Sequence, residues 1–236
     1  MTTIQRQKLI LEKIIEEYIK SAKPVSSQLL EKKYNFRLSP ATIRNEMQKL
    51  TTDGFLYQPH TSAGRVPTDK GYRFFVDKLF EKEINKFEND FKTREWLEEE
   101  MKDYLKFIQK ITKTLANVSS GLAISYLFAD KILWKEGWEE LLKEPEFQVR
   151  GCILNFGKLL KKFEEDIEDL RLNSEIKVYI GKENPFSKSR DFSIIISQCK
   201  FPEKEEGIIS LLGPKRMAYD KNIALINSLK KTLEKI

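Results

Sequence analysis

The chain has 236 residues, 33% of them charged and 40% hydrophobic, and a formal charge of +6. That length and composition suit one or two folded domains with a sizeable core and exclude a disordered polymer. The longest mostly apolar run, "GLAISYLFA" at Gly121–Ala129, is far too short to span a bilayer, and the first twenty residues lack a signal-peptide layout.

Only two cysteines occur, Cys152 and Cys199, which argues against a disulfide framework and fits a reducing cytoplasm. Neither has a histidine or second cysteine at ligand spacing, so no metal site is expected. Charge is unevenly spread. Residues 1–79 hold 14 Lys or Arg against 8 Asp or Glu, whereas residues 80–236 hold 28 of each. The whole positive excess therefore lies in the first third, where it favours a polyanionic partner.

In chain order, Ile4, Leu11, Ile14, Ile15, Tyr18 and Ile19 form an apolar stripe at helical spacing that ends near "SAKP". Ser26 or Ser27 can cap a short second helix. A third begins in "LSPATIRNEMQKLTTDGF", with Ser39 as cap, Pro40 at the first helical position and Asp53-Gly54 as its end. At 100° per residue Ile43, Met47 and Leu50 share one face. Ala41, Arg44, Asn45 and Gln48 fall opposite, with Thr42 and Lys49 at the edge. Arginine matches guanine edges, Asn and Gln match adenine edges, and small residues admit a thymine methyl.

Next, "LYQ" at Leu56–Gln58 reads as a strand and "PHTSAG" as a turn, with Gly64 able to take positive φ. "RVP" at Arg65–Pro67 returns as a second strand. Thr68 caps a helix whose Tyr72, Phe75, Val76 and Leu79 point inward. Three short helices and a hairpin make a winged helix-turn-helix, whose last helix enters the major groove. His60, Thr61, Ser62 and Arg65 would then donate to phosphates or reach the minor groove. His60 is the single histidine, and no nucleophile or carboxylate constellation surrounds it in sequence, so neither an enzyme nor a cofactor is expected.

At these residues a family becomes recognisable. "SPATIRNEMQKLTTDGFLYQPHTSAGRVPTDKGYRFFVD" closely resembles the heat-inducible transcription repressor HrcA family of bacteria. "VYIGKENPF" and "GIISLLGPKRMAYDKNIALINSL" resemble that family's IG-x-EN and GP-x-RM-x-Y signatures, and "WEELLKEPEF" is a weaker echo. The resemblance implies a repressor of chaperone operons that binds an inverted-repeat operator on double-stranded DNA as a homodimer, with the GroE chaperonin as a partner. It also implies a winged-helix domain, a GAF-like α/β domain and an inserted dimerisation domain. Carried onto this chain, Ser39, Ala41, Thr42, Arg44, Asn45, Gln48 and Lys49 become operator-reading candidates. His60, Thr61, Ser62, Gly64 and Arg65 become wing candidates.

The middle departs from the family. After "SYLF", Ala129-Asp130-Lys131 passes almost at once to the "WEELLKEPEF" echo, so the dimerisation insert and part of the sheet are expected to be missing. Three strands are read directly, in "EIKVYIG", "DFSIIISQCKF" and "GIISLLG", with helices near Gly151–Leu172 and Ala218–Ile236 covering one face. The expected class is α+β: a winged-helix DNA-binding domain over 1–79, linking helices over 80–117 and a reduced GAF-like domain over 118–236. Leu97, Met101, Tyr104, Leu105, Ile108, Ile111 and Leu115 offer a heptad seam for a dimer, or a face for packing on their own sheet. An earlier seam of Phe80, Ile84, Phe87 and Phe91 is out of phase with it. Lys215-Arg216 reads as surface charge.

Two other classes stay open. A small-molecule sensor would need an enclosed apolar pocket in the GAF-like half. A nonspecific nucleic-acid binder would show little preference over random duplex at matched salt.

Overall fold

The computed structural model describes residues 2–81, 104–170, 172, 175–202 and 205–233. The chain divides into two compact units, residues 1–82 and 83–236.

In the first unit, α1 (Thr3–Ser21) starts at a capping box in which Thr2 accepts from the Gln5 amide and Gln5 accepts from the Thr2 amide. It stops at Ala22, which takes φ 53°. Next come α2 (Ser27–Lys33), capped by Ser26, and α3 (Pro40–Thr52), capped by Ser39 with Pro40 opening the helix. Strands β1 (Leu56–Tyr57) and β2 (Val66–Pro67) form an antiparallel ribbon that leads into α4 (Asp69–Glu81). Thr68 accepts from the Gly71 amide at 3.2 Å to start α4.

The core of this unit gathers Ile10, Leu11, Ile14, Ile15, Ile43, Met47, Leu50, Tyr72, Phe75 and Val76, all buried. Ile4, the first member of the apolar stripe, is 66% exposed, and its neighbours at the start of α1 are exposed as well. Three buried glutamates tie helices together. Glu12 pairs with Lys78 of α4, and Glu46 of α3 takes Arg6 at 3.0 Å and Gln7 at 2.9 Å from α1. Glu17 takes Lys33 at 2.8 Å and Tyr34 at 2.6 Å. Burial opposes the Glu17 charge, but those two bonds hold its carboxyl below the ordinary value.

The second unit is built on a five-stranded antiparallel sheet. Its helix α5 (Tyr104–Ser119) leads into β3 (Leu122–Leu127) and β4 (Ile132–Glu136). A short α6 (Trp138–Leu142) and α7 (Arg150–Asp166) follow. The chain then runs through β5 (Lys177–Ile180), β6 (Phe192–Lys200), β7 (Glu206–Pro214) and α8 (Tyr219–Leu233). The order across the sheet is β4-β3-β7-β6-β5.

Two expectations change here. The sheet keeps five strands rather than three: Lys131 at φ 53° closes a tight β3–β4 hairpin, so "ILWKE" pairs directly with "LAISYL". The two long helices cover opposite faces. Phe156 of α7 packs on Phe192 with ring centroids 5.2 Å apart, while Tyr219 of α8 meets the Ser193 hydroxyl at 2.7 Å. Adjacent strand residues point to opposite faces, so the two helices cannot share one.

Of the two uses left open for the Leu97–Leu115 stretch, its described part takes packing on its own sheet. Ile108, Ile111 and Leu115 are buried within the second unit, and Thr112 donates to Ser125 of β3 at 2.7 Å. Withdrawing such side chains to form an intermolecular seam would forfeit about 1.5–3 kcal/mol each. Packing in the chain's own core therefore wins. Leu105 stays 42% exposed and Phe80 39% exposed; Ile84, Phe87, Phe91, Leu97 and Met101 lie outside the described residues.

The family-like signatures are internal clamps. Arg216, expected at the surface, is 9% exposed. It grips Glu146 through two bonds, 2.6 Å from Nε and 3.0 Å from Nη2, and pairs with Glu144 as well. Burial works against its charge, yet the two carboxylates outweigh it and hold its pKa above the ordinary value. The clamp joins the "GPKRM" and "KEPEF" segments. In "IGKEN", Glu183 accepts from the Ile180 amide and Asn184 from the Phe186 amide, so this stretch is a self-bonded turn.

Candidate nucleic-acid interface

One groove of about 540 Å³ in the first unit brings α3 and the β1–β2 loop together. Arg44, Asn45 and Gln48 line it from α3, and Thr61, Ser62, Gly64 and Arg65 from the loop. Ser26, Ser27 and Gln28 at the start of α2 close the third side. Sequence reasoning treated that serine pair only as a helix cap; its place in the groove depends on how α2 packs on α3.

The outward face of α3 is solvent-facing at Ala41, Arg44, Asn45, Gln48 and Lys49, while Thr42 is half-buried. Ser39 is committed to capping, accepting from the Thr42 amide at 3.1 Å with its hydroxyl 2.9 Å from that of Thr42. Lys49 leans 3.6 Å from Glu46. Among the described residues no carboxylate pairs with Arg44.

The loop is held in shape from inside. Gln58 donates to the Thr61 carbonyl at 2.8 Å and the Ala63 carbonyl at 2.9 Å, and His60 lies 3.2 Å from the Ser62 hydroxyl. His60, Thr61 and Ser62 are exposed at its tip. Gln58 went unnoticed in the sequence because nothing local marks a glutamine that staples its own loop.

Two expectations are corrected. Gly64 does not take positive φ; a Cβ there would meet the Val25 carbonyl oxygen at 2.3 Å. Glycine is required because the backbones of residues 25 and 65 cross in a β-bridge, with bonds of 2.9 and 2.8 Å. Arg65, expected to donate to phosphates or the minor groove from the wing, instead points inward. It is 8% exposed, and its Nε donates to Thr51 at 3.0 Å and its Nη2 to Gln48 Oε1 at 2.9 Å. Among the described residues it has no carboxylate partner, and burial followed by the charge of Arg44 lowers its pKa. The groove therefore carries two arginines that no carboxylate among the described residues cancels, which favours an anion.

Among the described residues no group of three His, Cys, Asp or Glu could hold a metal, and no helix is long and apolar enough to cross a membrane. Cys152, half-buried, has its thiol pushed up to about 11 by burial and then by Asp191 and Glu146, the reverse of an activated nucleophile.

Comparison with known proteins meets this geometry from outside. A solved structure described only as a hypothetical protein shares the fold, with a TM-score of 0.75 at 21% identity over 97% of each chain. The heat-inducible transcription repressor HrcA of Thermodesulfovibrio yellowstonii is 29% identical, covering 97% of this chain and 96% of its own. That of Natranaerobius thermophilus is 30% identical, covering 98% and 97%. The first alignment spans 339 positions against 236 residues here, so at least 103 positions of that relative face internal gaps. The family model for the HrcA protein C terminal domain matches residues 68–223. On that match and those relatives, the chain belongs to the HrcA family of heat-inducible transcription repressors.

Proposed function

We propose that the first unit is a winged helix-turn-helix domain that reads double-stranded DNA in a sequence-specific way. In this reading α3 lies in the major groove, with Arg44, Asn45 and Gln48 facing base edges and Ala41 and Thr42 admitting a methyl group. His60, Thr61 and Ser62 at the wing tip donate to phosphates or enter the minor groove. The observation that carries it is one polar groove in which Arg44, Asn45 and Gln48 of α3 and the wing residues stand together, with no carboxylate among the described residues paired with Arg44 or Arg65. A phosphate backbone supplies the anion such a site lacks.

The second unit, with its antiparallel sheet between helices, reads as a GAF-like domain. As a repressor the chain would bind an inverted repeat, which requires two copies related by a two-fold axis. With Ile108, Ile111 and Leu115 spent on the internal core, the interface for that axis must come from other residues. The resemblance also implies the GroE chaperonin as a partner, which co-sedimentation tests.

The deciding experiment is the mass of the protein alone and on an inverted-repeat duplex, with affinity compared against a scrambled duplex at matched salt. Two copies per duplex with strong discrimination are expected. One copy bound equally to both duplexes would overturn the proposal.

A further inference from the structure

We infer that Arg65 is a positioning residue that fixes which base Gln48 can read, and that this base is guanine rather than adenine. The inference rests on the DNA-reading role proposed for α3. A glutamine carboxamide ordinarily offers either end, so its residue type suggests the adenine edge, which needs one donor and one acceptor. Here the choice is already made. A guanidinium can only donate, so the 2.9 Å bond from Arg65 Nη2 turns the Gln48 oxygen inward.

Further bonds hold Arg65 against swinging aside to release it. Its Nε is bonded to Thr51, whose hydroxyl is itself held on the Met47 carbonyl at 2.9 Å. Its backbone is bonded on both sides to Val25. With its oxygen engaged by Arg65, the end of Gln48 left for a base is Nε2, a pure donor, and Arg44, which lines the same groove, is also a pure donor. Guanine shows two acceptors, O6 and N7, in the major groove, whereas the amino group of adenine would have to share the Gln48 oxygen with Arg65 and stand beside its charge.

The test is selection from a randomised duplex library by the full chain and its variants, with thermal melting run alongside. Gln48→Ala marks the base pair that Gln48 reads. At that pair the unaltered chain is expected to favour guanine over adenine by about tenfold. Arg65→Met should raise adenine there to parity or better and leave other positions unchanged, whereas a purely structural role would weaken every position alike. Should melting show that Arg65→Met does not fold, Gln48→Glu serves. Its carboxylate stays on Arg65 and has no donor, so preference should pass from guanine to cytosine. Adenine chosen by the unaltered chain, or a base choice that neither variant moves, overturns the inference. An unaltered chain with no base preference at all overturns the DNA-reading role itself, and that result appears before any variant is made.

Discussion

The two units each bury an arginine, and they treat it in opposite ways. Arg216 is 9% exposed and meets two glutamates; Arg65 is 8% exposed and meets a hydroxyl and an amide. Carboxylates raise the pKa of the first, while burial and Arg44 lower that of the second. An arginine neutralised from within serves the fold, because its charge is cancelled before any ligand arrives. One solvated only by neutral groups keeps its field, and here that field opens onto the groove of α3. Removing each arginine separates the two uses. Arg216→Met leaves Glu144 and Glu146 crowded together at a half-buried site and should cost about 3 kcal/mol. Arg65→Met strands no charge and should cost about 1 kcal/mol in lost hydrogen bonds. Thermal unfolding of both variants measures the gap, and equal losses would erase the distinction.

The wing tests the contrast at the level of backbone. Gly64→Ala places a Cβ 2.3 Å from the Val25 carbonyl, an atom that cannot move without breaking the Val25–Arg65 bridge. A loss of about 2 kcal/mol is expected, together with faster amide exchange at Val25 and Arg65. The same substitution at Gly151 or Gly157 of α7 meets open space and should be harmless or slightly stabilising.

How much of this could be read beforehand follows from how local each cause is. The outward face of α3 was legible because Ser39, Pro40, Ile43, Met47 and Leu50 fix both its start and its inner side within one turn-by-turn pattern. The inward course of Arg65 was not, since it depends on Thr51 and Gln48 from α3 and on Val25 forty residues upstream. The same distance hid the reason for Gly64. In the second unit, "LAISYL" is buried along its whole length, so it lacks the alternation that marks a half-buried strand. Which helix covers which face depends on pairing between strands far apart in the chain, as with Phe192 and Ser193.

Base readout gives a smaller effect with a sharper pattern. Arg44→Ala should cost about 1.5 kcal/mol at one base pair and reduce the salt dependence of binding little. If the wing-tip hydroxyls donate to phosphates as proposed, Thr61→Ala and Ser62→Ala should weaken every duplex alike, since phosphates carry no sequence. Titrations against an operator and a random duplex distinguish the two patterns. A loss from Arg44→Ala that is equal on both duplexes would move Arg44 from base reader to phosphate contact.

The smallest effect reads the local field directly. In the second unit burial first, and then Asp191 and Glu146, push the Cys152 thiol from 9.0 to about 11. In the first unit burial and Arg44 depress Arg65, so one environment disfavours an anion and the other disfavours a cation. Alkylation of Cys152 by iodoacetamide, followed by mass spectrometry to separate it from buried Cys199, should therefore rise with a midpoint near pH 11. The sign for stability follows. The unfolded chain releases this proton near 9, so the contribution of the thiol is intact below that pH and is lost as pH climbs toward 11. Asp191→Asn removes the stronger of the two negative charges acting on the thiol and should move the midpoint down. A midpoint that stays put would strike Asp191 from the field at this site and leave the shift to burial and Glu146.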